Sequence, residues 1–220
     1  METNALDVEV LDERIWDVVG KDALLEQVAT GFQFLEGPLW HSSARHLMFS
    51  DILGDTMYCW SEADGATVFR QPSHMANGNT YDRMGRLLPC EHATSRVTRM
   101  NHDGNVEVLA SHYHDKVLNS PNDIIVGRDG GIYFTDPTSG RSAYYGVLRE
   151  QELPFQGVFR LDKKLTLLAD DFSKPNGLCF SLDVTRLFIN DTDRNHIRVF
   201  DVQPDGSLST GRVWATVKVP

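Results

Sequence analysis

The stretch NSPNDIIVGRDGGIYFTDP, residues 119–137, is polar at both ends and apolar in two short runs. Ile124, Ile125 and Val126 lead into Arg128-Asp129-Gly130-Gly131, and Ile132, Tyr133 and Phe134 lead out of it. β-Branched and aromatic runs on either side of an Asp-Gly-Gly turn signal a β-hairpin. Asn122 and Asp136 lie seven residues before and after Asp129, so the hairpin brings both to one edge of the sheet.

The same layout recurs along the chain. Glu36-Gly-Pro-Leu-Trp precedes His46-Leu-Met-Phe-Ser-Asp51, and Asn77-Gly-Asn-Thr-Tyr precedes Arg86-Leu-Leu-Pro-Cys-Glu91. Asn176-Gly-Leu-Cys-Phe precedes Arg186-Leu-Phe-Ile-Asn-Asp191. The polar starts at 36, 77, 122 and 176 are 41, 45 and 54 residues apart, and each polar end follows 14 or 15 residues later. A second strand pair completes each unit, such as Arg96–Met100 with Val106–Ala110 around Asp103-Gly104. Four strands in a repeat of this length is the blade of a β-propeller, and a β-sandwich does not account for the recurrence. The fold class is therefore all-β. First strands line the channel of a propeller, so Glu36, Asn77, Asn122 and Asn176 should ring one of its mouths, with Asp51, Glu91, Asp136 and Asp191 one strand further out.

The surroundings narrow the class. With 31 acids against 21 bases the formal charge is −10, which argues against a nucleic-acid partner. Cys59, Cys90 and Cys179 are scattered and lack metal-ligand spacing, as expected of reduced thiols in a cytoplasmic protein. METNALDVEVLDERIWDVVG is acidic and does not resemble a signal peptide, and no apolar run is long enough to span a membrane. Residues 1–30 read as a lead-in, with a strand at Ile15–Val19 and a short helix at Lys21–Val28, ahead of a propeller domain over residues 31–220.

A carboxylate and several amide oxygens converging on one point suit a hard cation such as Ca²⁺. A single Asn-Gly is more often a turn. Pro-Asn at 121–122 and 175–176, with Glu36 in the equivalent slot, favours a metal site instead. His112-x-His114 lacks a third ligand nearby and reads as solvated loop histidines.

These motifs resemble the senescence-marker-protein/gluconolactonase/luciferin-regenerating-enzyme family of six-bladed propellers, in its bacterial gluconolactonase-like branch. The resemblance runs through Glu36-Gly-Pro, Asn77-Gly, Cys90-Glu-His, Asn119-Ser-Pro-Asn-Asp, Ile132-Tyr-Phe-Thr-Asp-Pro, Pro175-Asn-Gly-Leu and Asp191-Thr, from about residue 31 onward. It implies a divalent cation, usually Ca²⁺, held by Glu36, Asn122, Asn176 and an aspartate from a Pro-Asp-Gly motif expected one blade after Asn176, about where this sequence ends at Val219-Pro220. About four of six blades are then present, and an open arc leaves an unpaired edge.

The activity implied is hydrolysis of a sugar lactone. Asn77, Glu91, His92 and Asp136 would contact the sugar, with His92 and Asp136 as candidate catalytic groups. Asp123 should point away from Asn122 and take a turn or supporting role. The alternatives are a propeller hydrolase acting on phosphoesters and an inactive calcium-binding fragment. The oligomeric state is open.

Overall fold

The computed structural model describes residues 3–5 and 8–216. Two short strands, β1 (Thr3–Ala5) and β2 (Leu24–Glu26), pair antiparallel ahead of the main body. Four sheets follow, each a four-stranded antiparallel meander in chain order. Blade 1 is β3 (Leu35–His41), β4 (His46–Asp51), β5 (Thr56–Ser61) and β6 (Gly65–Arg70). Blade 2 is β7 (Ala76–Tyr81), β8 (Leu87–Glu91), β9 (Arg96–Met100) and β10 (Val106–Ala110). A small hairpin of β11 (His112–Tyr113) and β12 (Lys116–Val117) comes next. Blade 3 is β13 (Ile124–Val126), β14 (Ile132–Asp136), β15 (Gln156–Leu161) and β16 (Leu165–Phe172). Blade 4 is β17 (Pro175–Phe180), β18 (Arg186–Asp191), β19 (His196–Asp201) and β20 (Arg212–Thr216). The described residues form an all-β propeller of four blades.

The lead-in differs from the sequence reading. Glu13–Asp17 forms a 3₁₀ turn where a strand was expected, because the Asp12 side chain accepts the Arg14 N–H and caps it. The expected helix at Lys21–Val28 is instead strand β2, whose three residues are all exposed. A segment that short has no apolar face to bury, and isolated helices of this length are marginal in water.

Apolar residues fill the gaps between successive blades. Met48, Met57, Ala76 and Leu87 pack between blades 1 and 2. Leu88, Cys90, Val97, Ile124, Phe134 and Phe159 pack between blades 2 and 3. Tyr133, Val158, Leu178, Leu187, Ile189 and Phe200 pack between blades 3 and 4. Second strands have partners on both edges and blades on both faces, so β14 is buried at every position. Trp40 on blade 1 and Trp214 on blade 4 are 51% and 59% exposed.

The innermost strands share one irregularity that sets the site. The β3–β4, β7–β8 and β17–β18 registers each slip by one residue, after Glu36, Ala76 and Pro175 respectively. In blade 3 the pairing continues past β13, with Asn122 N donating to Thr135 O and Thr135 N to Asp123 O, so that two residues again face one. A bulge of this kind re-aims side chains at a strand end. It turns Glu36, Asn77, Asn122 and Asn176 out of the pleat toward the channel.

Candidate metal centre and substrate cleft

Glycine makes the convergence possible. A Cβ on Gly37, whose φ is +57°, would lie 2.0 Å from Asn77 O, and one on Gly78 would lie 2.4 Å from Asn122 O. Neighbouring inner strands therefore touch backbone to backbone, and Gly78 N donates to Asn122 O at 2.7 Å. Hydroxyls also bridge adjacent blades, with Ser50 Oγ donating to Asn77 O at 2.8 Å and Thr135 Oγ1 to Asn176 O at 2.7 Å. Asn77-Gly78 is a bulged strand and not a free turn.

The result is a cleft of about 160 Å³ lined by Glu36, Asn77, His92, Asn122 and Asn176. Five of the seven site residues named from the sequence thus come together. The other two, Glu91 and Asp136, are fully buried behind it. Glu91 accepts from Arg96 at 2.6 Å, Arg70 at 3.1 Å, Thr94 at 2.6 Å and Thr98 at 3.1 Å. Burial alone would raise its pKa, but Thr94, Arg96 and Arg70 together hold it below the usual range. Its charge is spent on holding blades 1 and 2 together. Asp136 accepts the Asn119 N–H at 2.8 Å, and its pKa is pushed up to about 7, chiefly by burial. Neither carboxylate faces the cleft.

His92 lines the cleft but is 1% exposed, and both ring nitrogens are engaged. Nδ1 meets Tyr145 O at 2.9 Å and Nε2 meets Asn77 Nδ2 at 3.1 Å. Burial pushes its pKa down to about 4, with the nearby Arg149 charge adding to the effect. This ring is neutral at pH 7 and offers no free nitrogen to a reactant.

The donor chemistry fits a hard cation. The Glu36 pKa is raised by burial and by the Asp123 charge, against the pull of the Gly37 N–H. Burial raises Asp123 as well, despite the Leu178 and Ile124 N–H groups that it accepts. Two half-buried carboxylates without a cationic partner among the described residues are a costly arrangement that a divalent ion offsets. The neutral oxygens of Asn122 and Asn176 border the same cleft. Among the described residues no three His, Cys, Asp or Glu side chains are grouped for a metal, so such a centre depends on amide oxygens.

Phe34, Ile52, Ser139, Tyr145, Lys174 and Thr192, none of them a site residue by the sequence pattern, complete the lining. Ile52 and Thr192 stand one residue after the acidic strand ends Asp51 and Asp191, as His92 stands after Glu91, so the repeat itself carried that signal. Ser139 and Tyr145 belong to the connection between β14 and β15, which has no equivalent in the other blades. Arg149 pins that connection to blade 2 by donating to His92 O at 2.5 Å, Ser95 Oγ at 2.6 Å and Ala93 O at 3.1 Å. Arg141 ties it to Asn119 O at 2.9 Å and Leu118 O at 2.6 Å.

Fold and cleft together define a β-propeller with an oxygen-rich pocket at the ends of its inner strands. The chain belongs to the SMP-30/gluconolactonase/LRE-like family, whose model matches residues 34–219. A gluconolactonase of Zymomonas mobilis is 31% identical over 209 residues, covering 86% of this chain and 57% of the relative. The chain thus spans little more than half the length of that relative. A gluconolactonase structure from Xanthomonas campestris superimposes with a TM-score of 0.89 at 34% identity, covering 99% of this chain and 75% of the other. Regucalcin from Agrobacterium tumefaciens, described as a calcium-binding protein, shares the fold with a TM-score of 0.66 at 22% identity, over 84% of this chain and 60% of its own.

Proposed function

We propose that this chain carries the cation site and part of the substrate cleft of a sugar-lactone hydrolase of the gluconolactonase type. The observation that carries the reading is the convergence of Glu36, Asn122 and Asn176 on one cleft, where Glu36 and the neighbouring Asp123 are half-buried carboxylates without a cationic partner among the described residues. Glu36 supplies the charge that binds Ca²⁺ or another divalent cation, and the two amides supply neutral oxygens. When bound, the cation contributes Lewis acidity toward a carbonyl and stabilises negative charge developing on its oxygen.

The remaining lining acts on the substrate. Asn77 and the Ser139 hydroxyl offer hydrogen bonds to sugar hydroxyls. Phe34, Ile52 and the Tyr145 ring form an apolar wall that limits water, and the Phe34 and Tyr145 rings pack 5.2 Å apart. Lys174 sits at the rim, 3.8 Å from Asp193, and adds positive charge where a carboxylate product would leave. His92 is not used as a base, because both of its nitrogens are occupied. The scattered free thiols of Cys59, Cys90 and Cys179 suit the reducing cytoplasm.

The test is Ca²⁺-linked thermal stability in wild type and Glu36→Gln. A ligand at 100 times its Kd stabilises by about 2.7 kcal/mol, a shift of several degrees for a domain of this size. The wild type should show that shift and Glu36→Gln should lose it. Equal shifts in both proteins, or none in the wild type, would rule out the proposed centre. Acid release from D-glucono-1,5-lactone in a pH-stat then separates a hydrolase from a protein that merely binds the ion.

A further inference from the structure

We infer that His92 is a positioning residue. It accepts a hydrogen bond from Asn77 Nδ2 and thereby commits Asn77 to presenting Oδ1 to the cleft. What that oxygen meets there rests on the lactone reading above, but the positioning itself does not.

The direction of each bond follows from elementary donor and acceptor chemistry. Tyr145 O is a backbone carbonyl and can only accept, so the 2.9 Å contact requires a proton on His92 Nδ1. In a neutral ring Nε2 is then a bare lone pair. The atom 3.1 Å from it belongs to the Asn77 amide, and only the NH₂ end of that amide can donate to it. A flipped Asn77 would set oxygen against nitrogen, lone pair to lone pair. With Nδ2 committed, Oδ1 is the amide atom left for the cleft that Asn77 lines.

The ring cannot swivel to escape this role. A Cβ on Gly140 would lie 2.5 Å from His92 Cγ, so the bare glycine backbone lies directly on the imidazole. Arg149 holds the His92 carbonyl at 2.5 Å, and His92 N donates to Met75 O at 3.1 Å. Tyr145 and Gly140 both lie in the β14–β15 connection. The polar edge of the cleft is therefore set by a segment from blade 3 acting through a histidine of blade 2 on an asparagine of the same blade. Fixing an amide in advance matters because a hydroxyl donor on a sugar must find an acceptor already in place.

The test combines a spectroscopic and a binding measurement on the 220-residue chain. Long-range ¹H–¹⁵N correlation at pH 7 should show His92 with Nδ1 protonated and Nε2 bare. The two Asn77 side-chain amide protons should be separate and sharp, and should broaden or converge in His92→Met. With Ca²⁺ present, calorimetry with D-gluconate, the hydrolysis product, should show His92→Met weaker than wild type by about tenfold, the cost of roughly one hydrogen bond. Ca²⁺ affinity measured alone should stay within about twofold. His92→Gln places Oε1 near the position of Nε2 and should recover most of the gluconate affinity. An Nε2–H tautomer, unchanged Asn77 signals in His92→Met, or a glutamine variant no better than methionine would overturn the inference. If the wild type binds Ca²⁺ but no gluconate, the lactone reading fails, and the tautomer with the Asn77 signals decides the positioning alone.

Discussion

Asp51 and Asp191 stand at the same position in blades 1 and 4, and each accepts from the equivalent pair of backbone N–H groups. Asp51 accepts the N–H groups of Gln33 and Phe34, and Asp191 those of Ser173 and Lys174, at 2.8–3.0 Å in every case. Each pair is the segment entering the aspartate's own blade. The acid closes the loop that delivers the chain to the channel. Replacing Asp191 with Ala strands both donors and frees Arg194, which lies 3.2 Å from the carboxylate. We expect a loss of about 2–4 kcal/mol in urea unfolding, and less for Asp191→Asn, which keeps one acceptor. An alanine variant within about 0.5 kcal/mol of wild type would contradict this role.

Asp136 holds the corresponding place in blade 3, yet its pKa is raised to about 7, mainly by burial. Between the ordinary aspartate value and about 7, the folded protein keeps a proton that the unfolded chain has released. Stability therefore falls as pH rises from about 4 to 7 and levels off above that, by an amount on the order of a few kcal/mol. Asp136→Asn cannot ionise and should flatten this part of the profile. Urea titrations at half-unit pH intervals on both proteins would show it, and identical slopes would refute it.

Blades 2 and 3 meet backbone to backbone at Gly78. A Cβ there would meet Asn122 O at 2.4 Å and Asp123 Cα at 2.7 Å, both backbone atoms that cannot swing aside. Gly78→Ala should cost about 2 kcal/mol or more, in the range of overpacking. It should also weaken Ca²⁺ binding at least about tenfold by displacing Asn122, although no ligand is removed. Gly65→Ala is a useful contrast. It has open space around it, so only its left-handed φ of +66° is strained, and cation affinity should be untouched.

Arg149 fastens the β14–β15 connection through three acceptors on blade 2. Tyr144 and Leu148 are 59% and 76% exposed, and Arg149→Ala should loosen residues 142–148 enough for a protease to bind them in extended form. Limited proteolysis with chymotrypsin should then cut there at least several times faster than in wild type, with global stability changed little. Unchanged cleavage would mean that Arg141 alone secures the segment.

The sequence by itself determined the architecture. Alternating strands, Asp-Gly turns and the polar brackets at 36, 77, 122 and 176 specify four blades, because a repeated local pattern folds into a repeated local structure. The lead-in departs from its local pattern for the converse reason. Residues 13–28 have no repeat to lean on, and the Asp12 cap and a three-residue strand outweighed weak propensities. The sequence also placed Glu36, Asn77, Asn122 and Asn176 on one rim, since equivalent blade positions must converge on an axis. Only the tertiary structure decided what each polar residue does there. Glu91 and Asp136 look as functional as Asn122 in the sequence, yet they point into buried N–H groups, arginines and hydroxyls. His92 looks like a base until Tyr145, 53 residues away, is seen to occupy its Nδ1. A side chain's partners depend on bulges and on loops from other blades, and residue type and spacing carry no record of either.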